Sequence, residues 1–512
     1  MFRDKGWTDG NVLGEDEIPA DPSLPQIATM LDGRAMGRIL QDELPGGFAE
    51  GRLRIERCRV VYVCYRPTRN CLVSYSLDIR DTATGRCGTQ LMCGKIFAEA
   101  RSKRYLATRA KRMSAVPDYD LSFAYLVDHQ MIVTAFPNDL MVRGLHQIVY
   151  RDELEPVVRG TLGLRVGQAE GVEDGSSPVG IISYKPERSC LVRCAVRCSE
   201  SASQRDQGKV VFARIYHNDR GDEIYRAMKA LWNGEARRSG LLAVAEPLGY
   251  DPTARILFQG SVGGTILAAL AGCEEFLDYV GVAARSLAAI HQSPVRLERA
   301  RTTEGELEVL ELLAQGLIQV RPMTGEKLNR ILGRLRRAMP GPPGQGWGLI
   351  HGDFSHNQIL VKAGHVSVID FDGVGMGDPC TDIGSFLARL ERPAVEGGLE
   401  GSLRHWAAEE FCRQYEAAQR GVLARDRLIW HQAMGLVRLA VNSLKHLKSA
   451  WPRRVDNYLS RAETLLSEQK RMNHRSASTP QVLTRWTKKG GLPCASAFTA
   501  HKPRISSPES LD

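Results

Sequence analysis

The sequence predicts an α+β protein in which antiparallel-sheet lobes precede a single helix-rich lobe. Three observations predict it. The stretch from Val60 to Phe97 recurs from Val179 to Tyr216 at a constant offset of 119 residues. Each copy alternates apolar and polar residues around a Pro-containing turn, which is the pattern of paired strands. Residues 270–470 instead space their apolar residues helically, as in Phe276, Val280, Ala283 and Leu287.

The repeat is clearest where Tyr65-Arg66-Pro67-Thr68-Arg69-Asn70-Cys71-Leu72-Val73 matches Tyr184-Lys185-Pro186-Glu187-Arg188-Ser189-Cys190-Leu191-Val192. It continues without a gap to Lys95-Ile96-Phe97 against Arg214-Ile215-Tyr216. Each copy reads as a strand, a tight turn, a return strand, a third strand and a helix. Met131 to Ala135 and Ile256 to Gly260 read as the last strands of the two sheets. Two copies are too few for a solenoid. The first is therefore expected to pack on the second or to cap it.

The chain map follows. Residues 1–50 are polar and Gly/Pro-rich and are expected to be loosely ordered. Residues 51–150 form the first repeat, Asp152 to Ser177 the linker, and 178–268 the second repeat. Residues 270–470 form the helical lobe, with helices expected near 274–291, 380–392, 402–420, 426–448 and 453–472. Residues 471–512 form a basic tail that is expected to be disordered.

Composition narrows the function. At 512 residues the chain has room for two or three domains, and 43% hydrophobic with 25% charged residues is ordinary for a globular protein. It has no run of eighteen apolar residues, so no membrane span is expected. The first ten residues lack an apolar signal core, and the twelve cysteines form no C-x-x-C pair, which points to a reduced, cytoplasmic protein. Cys190, Cys194 and Cys198 recur every four residues, which fits one face of a strand, and His partners for a zinc site are missing. Of the net charge of +9, seven basic against two acidic residues fall between Arg471 and Asp512, so nucleic-acid binding is not expected of the folded body. Nothing in the sequence fixes the oligomeric state.

The chemistry concentrates in one block. His351-Gly352-Asp353-Phe354-Ser355-His356-Asn357-Gln358 follows the apolar run Gly348-Leu349-Ile350, and Ile369-Asp370-Phe371-Asp372 ends the run Val366-Ser367-Val368-Ile369. Phosphoryl transfer to a hydroxyl needs this set: one carboxylate to orient the acceptor and take its proton, and an amide oxygen with a second carboxylate to hold Mg2+ on the nucleotide phosphates. Protein kinases space the same groups as H-R-D-x-x-x-x-N and D-F-G.

The block resembles the aminoglycoside phosphotransferase and choline kinase-like family, whose fold is protein-kinase-like and two-lobed. The family reads H-G-D, an Asn five residues after the Asp, I-D-x-D, and then G-D-P-x-x-D, here Gly377-Asp378-Pro379-Cys380-Thr381-Asp382. Five residues after Asp353 stands Gln358, as in a maltokinase-like branch. The resemblance implies a small-molecule phosphotransferase that moves the γ-phosphoryl group of ATP or GTP to a sugar, amino sugar or amino alcohol. It implies Asp353 as base, and Gln358 and Asp370 as Mg2+ ligands. Asp378 and Asp382 precede a helix, where capping accounts for at least one of them.

The nucleotide-side cation is open at this stage. Kinase-like folds place a Lys on the third strand, paired with a helix Glu. The second copy has Arg214 there, with Glu223 as the candidate partner, and the first copy has Lys95. Chain adjacency favours Arg214. Neither turn is G-x-G-x-x-G; in the second copy Arg188 is placed to help hold phosphates. The absent Lys and the doubled sheet motivate an alternative, a pseudokinase or nucleotide-binding regulatory module without turnover.

Overall fold

A computed structural model describes residues 13–109, 119, 121–167, 178–198, 208–344, 346–396 and 401–476. The chain divides into two units, Met1–Gln469 and Lys470–Asp512, and both sheet copies belong to the first.

The first copy opens with α1 (Ile27–Leu31) and α2 (Gly33–Glu43). The Asp32 carboxylate caps α2 by accepting the amides of Arg34 at 2.8 Å and Ala35 at 3.1 Å. This corrects the expectation of a loosely ordered segment over 1–50: Leu24, Met30, Met36, Leu40 and Leu44 are wholly buried. Apolar residues spread over two short helices give little periodicity, but together they roof one sheet face. Residues 1–12 lie outside the described residues.

The sheet comprises β1 (Leu53–Arg66), β2 (Asn70–Asp81), β3 (Cys87–Phe97), then the short helix α3 (Ser102–Ala107), β4 (Phe123–Leu126) and β5 (Met131–Ala135). Its strand order is β1-β2-β3-β5-β4. The second copy opens with α4 (His146–Val149) and α5 (Arg151–Leu162), followed by β6 (Leu164–Val166), β7 (Val179–Lys185), β8 (Ser189–Cys198) and β9 (Lys209–Tyr216). Then come α6 (Arg220–Asn233), α7 (Glu235–Arg238), β10 (Ala243–Val244), β11 (Pro247–Asp251) and β12 (Ile256–Gly260). Here β7 pairs β8, and the order continues β8-β9-β12-β11. The part of the linker at 151–166 is therefore α5 and β6, and 168–177 lies outside the described residues.

The registers repeat as well. Leu72 pairs with Lys95 across β2 and β3, and Leu191 pairs with Arg214 across β8 and β9. Each copy also carries one staple ahead of its sheet. The Asp21 carboxylate accepts the Tyr65 hydroxyl and the Thr68 amide, both at 2.7 Å. The Asp139 carboxylate accepts the Tyr184 hydroxyl at 2.6 Å and the Glu187 amide at 2.8 Å. The repeated unit therefore includes the helices before each sheet.

The large lobe holds β13 (Thr265–Ile266), α8 (Phe276–His291), β14 (Ala300–Arg301), α9 (Thr303–Val320) and α10 (Gly325–Arg337). The motif strands β15 (Gly348–Ile350), β16 (Ile359–Lys362), β17 (His365–Val368) and β18 (Gly375–Gly377) follow. Helices α11 (Cys380–Glu396), α12 (Gly401–Ala418), α13 (Arg425–Lys445) and α14 (Trp451–Ser476) complete it. Helix α14 continues past the expected start of the tail, and residues 477–512 lie outside the described residues. No helix among the described residues is long and apolar enough to cross a membrane.

The molecule thus has the α+β, two-lobed build with an added sheet copy. The first sheet packs on α9, α10, α13 and α14 through one apolar core, while Leu91 and Cys93 of β3 join the core of the second copy. Cover on both faces explains why Cys71 to Tyr75 of β2 are all buried, the polar Ser74 included. The second copy sits on α8 and the motif strands through Tyr216, Ile224 and Leu257.

Candidate active site

Strand β15 delivers the loop His351–Asp353, and a buried carboxylate shapes it. Asp382 accepts the amides of His351 at 2.6 Å and Gly352 at 2.7 Å. His291 Nε2 lies 3.1 Å from Asp382, and His291 Nδ1 lies 2.7 Å from the Tyr415 hydroxyl. Burial pushes the Asp382 carboxyl up, but His291, His351 and the loop amides outweigh it and hold it below the usual range. Asp382 is therefore a loop brace. Asp378 is the cap, accepting the Cys380 amide at 2.9 Å at the start of α11.

The second loop follows β17 and presses against the first. Gly352 has φ +79°, and a Cβ there would lie 2.1 Å from the Gly373 carbonyl oxygen. Arg301 closes the contact: one nitrogen donates to the carbonyls of Gly352 and Gly373, each at 3.0 Å. The rest of its fork grips Glu306 at 2.9 and 3.0 Å, and Arg438 donates to Glu306 at 2.7 Å. Burial alone would raise the Glu306 carboxyl, yet the two guanidiniums lower it to about 2. His351 Nε2 lies 3.0 Å from the Ile369 carbonyl, which only accepts, so Nε2 carries the proton. The His351 ring also lies 4.9 Å from that of Phe371. His351 thus organises both loops.

Asp353 is half-exposed at the mouth of a cavity bounded by Glu306, Ser385, Arg438 and Asn442. Arg389 holds it through Oδ1 and through the Asp353 carbonyl, the latter at 3.0 Å. Asp370 stands at φ 66°, ψ 65°, a left-handed conformation that costs a non-glycine residue about 1–3 kcal/mol and concentrates at functional sites. Arg214 reaches down from β9 and donates to Asp370 Oδ1 at 2.8 Å and to Asp372 Oδ1 at 2.6 Å. The Tyr216 hydroxyl adds a bond to Asp372 at 3.0 Å. Burial raises the Asp370 carboxyl, but Arg214, Lys185 and His351 outweigh it and keep it well below the usual range.

Gln358 ends a short turn, and its carbonyl accepts the Ile369 amide at 3.0 Å, so it flanks Asp370 at one end of the β16–β17 hairpin. Arg214 and Tyr216 engage only Oδ1 of Asp370 and Asp372, which leaves an oxygen of each for a cation, and Gln358 stands beside them through its backbone. Hard oxygen donors with an ionised carboxylate fit Mg2+. Among the described residues no group of three or more His, Cys, Asp or Glu could hold a metal ion.

Two expected partners fall elsewhere. Glu223 does not pair with Arg214; its carboxylate accepts the Arg299 amide at 3.1 Å. Lys95 is buried in the seam between the two sheets, and its ammonium binds both oxygens of Glu187, at 2.7 and 2.6 Å. The rings of Phe97 and Tyr105 lie 4.7 and 4.9 Å from that ammonium. It is therefore committed to the turn of the second copy, and Arg214 is the cation that meets Asp370. Arg188 is exposed in the same turn, and its charge acts on Lys445 and His446 of the large lobe. The turn residue whose charge reaches Asp370 is Lys185.

Sequence reasoning missed Arg301, Arg389 and Lys185. Lys185 had a signal, since it stands in the turn where kinase-like folds cover phosphates. Arg301 and Arg389 act over separations of 51 and 36 residues and leave no local pattern.

The model of the phosphotransferase enzyme family matches residues 204–419. That segment runs from β9 through α12 and includes Arg214, Asp353, Gln358 and Asp370. Comparison with curated proteins gives no match. Among solved structures, a choline/ethanolamine kinase family protein from Mesorhizobium loti is 16% identical, with 64% of this chain and 98% of that one covered and a TM-score of 0.42. Choline kinase from Cryptosporidium parvum Iowa II is 10% identical, with 63% and 97% covered and a TM-score of 0.41. Spectinomycin phosphotransferase in complex with ADP and spectinomycin is 12% identical, with 62% and 98% covered and a TM-score of 0.40.

Proposed function

We propose that this chain is a small-molecule phosphotransferase that moves the γ-phosphoryl group of ATP or GTP to a hydroxyl of a sugar, amino sugar or amino alcohol. The observation that carries the reading is the joining of two carboxylate loops by Arg301, with Arg214 descending onto the second loop from the sheet above. The family match over residues 204–419 supports the same reaction class.

Asp353 receives the acceptor. Arg389 fixes one of its oxygens, which leaves the other to accept the hydroxyl hydrogen bond and then the proton as the new O–P bond forms and the bond from the γ-phosphorus to the β–γ bridging oxygen breaks, releasing ADP or GDP. Asp370 and Gln358 would hold Mg2+, which offsets phosphate charge when bound. Lys185 and Arg214 add positive charge above the same loop, where negative charge accumulates on the transferred group. Asp382, His351 and Arg301 act through geometry by keeping the two loops in register.

A second reading has its own observation. Arg214 already bridges Asp370 and Asp372, so one cation occupies an oxygen of both carboxylates. A regulatory module that binds nucleotide without turnover would be built in the same way. The test is ADP release from Mg-ATP or Mg-GTP across a panel of sugars, amino sugars and amino alcohols, run beside Asp353→Ala and Asp370→Asn. Turnover abolished by both variants supports the enzyme. Nucleotide binding with no turnover on any acceptor supports the module.

A further inference from the structure

The cavity at Asp353 is a slot between two helices. Thr381, Ser385 and Arg389 of α11 line one side, and Met434, Arg438 and Asn442 of α13 line the other. Each set is spaced by four residues and so lies along one helix face. Gly435 lets the helices approach: a Cβ there would lie 2.7 Å from the Cβ of Ala388. Glu306, near the start of α9, also lines the slot.

The charges of this slot are already matched. Arg301 holds both oxygens of Glu306, at 2.9 and 3.0 Å, and Arg438 adds a bond at 2.7 Å. Arg389 holds Asp353 through Oδ1 and through its carbonyl. Asp378, next to the slot-lining His431 at 3.2 Å, is held by Arg427. Three guanidiniums thus stand against Glu306 and Asp353, and neither carboxylate lacks a cation. An ammonium entering here would lose its water and gain no unmatched partner. Neutral groups fare differently. Among the described residues the side chains of Ser385 and Asn442 bond no other protein group, and Arg438 gives one nitrogen to Glu306. A hydroxyl, an amide and the remaining guanidinium N–H groups suit neighbouring hydroxyls, which both donate and accept.

We propose that the acceptor is a neutral polyhydroxy compound of the sugar type, held by Ser385, Asn442 and Arg438 with its reacting hydroxyl at Asp353, and that Arg438 excludes ammonium-bearing acceptors by occupying Glu306. The acceptor class rests on the phosphotransferase reading of Asp353, but the preference of the slot is read by binding. Arg438 is thereby a specificity-determining residue. Without it, one oxygen of Glu306 keeps only Arg301, and an ammonium has a carboxylate to meet.

The test uses the full chain saturated with AMP-PNP and Mg2+. It is titrated calorimetrically with glucose, galactose and mannose, and with the 2-amino counterpart of each. The neutral member of a pair should bind on the order of tenfold more tightly than its amino counterpart, with little dependence on salt. Arg438→Gln should remove or reverse that preference, and Arg438→Lys, which keeps a cation at Glu306, should retain it. Asn442→Ala should weaken both members of a pair alike and leave their ratio unchanged. Absence of binding by all the neutral hexoses, equal or tighter binding of the amino counterparts, or an unchanged ratio in Arg438→Gln overturns the proposal. Phosphotransfer to the amino sugars in preference to the neutral ones also overturns it, with the phosphotransferase reading intact. A neutral hexose that binds with the stated preference and is never phosphorylated supports the preference of the slot and counts against the phosphotransferase reading alone.

Discussion

The two sheet copies share strand order, register and the Tyr–Asp staple, yet their third-strand cations do opposite work. Lys95 faces the neighbouring copy and ends on Glu187. Arg214 faces the large lobe and ends on Asp370 and Asp372. Matching positions on corresponding strands thus acquire different roles from what lies across the seam. The first copy uses its cation to fix a turn of the second, and that turn in turn presents Lys185 towards Asp370. One design thus serves as a support in the first copy and, on the reading proposed above, as the roof of the site in the second.

The largest expected effect lies under that roof. Asp353→Ala should lower phosphotransfer by roughly 10²–10⁴-fold, and Asp370→Asn by a similar factor, with the far-ultraviolet spectrum unchanged. ADP release read beside nucleotide binding checks both. A variant that keeps full rate would remove its residue from the site.

Exchanging the two cations tests the comparison itself. Arg214→Met should cost on the order of 10²-fold in rate. It should also move the acid limb of the pH–rate profile upward, because Asp370 loses the cation that lowers its carboxyl. Lys95→Met should instead leave kcat per folded molecule unchanged, raise KM modestly through the loosened turn that carries Lys185, and lower stability by roughly 3–5 kcal/mol, because Glu187 is left charged and unpaired in the seam. Urea unfolding separates these outcomes, and Lys95→Met with Glu187→Gln should recover most of the loss. If Lys95→Met abolishes activity in a protein of normal stability, the assignment of roles to the copies is reversed.

The same contrast shows what the sequence could reveal. Asp353 and Asp370 were legible because each closes an apolar strand at a fixed spacing. The repeat was legible because strands and turns kept a constant offset. The N-terminal helices were not, since their apolar residues are spread over two short segments that become a core only when laid on β1 and β2. The partner of Glu223 was misread because α6 offers it to the Arg299 amide, a backbone group with no sequence signature. Asp382 was legible as part of a motif, but its grip on the His351 and Gly352 amides was not. Arg214 and Asp370 lie 156 residues apart, and only the seam makes them neighbours.

A smaller effect separates the two seams by pH. His446 joins the first copy to α13, and burial lowers its pKa to about 4 from 6.5, with Lys445, Lys448 and Arg188 adding to the shift. It is neutral in the fold and protonated in the unfolded chain between those values. The unfolded chain therefore binds more protons in that window, and stability rises with pH across it. This contribution is complete above 6.5 and lost as pH falls through about 4, with a slope of up to about 1.4 kcal/mol per pH unit. Asp370, with its carboxyl lowered, favours the second seam above about 3.8 and loses that contribution only at lower pH. Hydrogen exchange at pH 5 should thus show β1 loosening before β9, and His446→Gln should remove the difference.

The smallest effect asks whether the copies remain equal where their contacts are equal. Tyr65→Phe removes one hydrogen bond to Asp21, and Tyr184→Phe removes one to Asp139. Each carboxylate keeps its bond to the turn amide three residues further on, at 2.7 and 2.8 Å. Each change should cost about 1.5 kcal/mol, the usual worth of a bond to a charged group. The two costs should match because the geometry matches. Activity should differ, however: loosening Thr68 moves a turn that contacts Gln319, whereas loosening Glu187 moves the turn that carries Lys185 and Arg188. Equal losses of stability with a raised KM only in Tyr184→Phe would place the division between the copies in their surroundings and not in their folds. A raised KM in both would mean that the first copy also shapes the site directly.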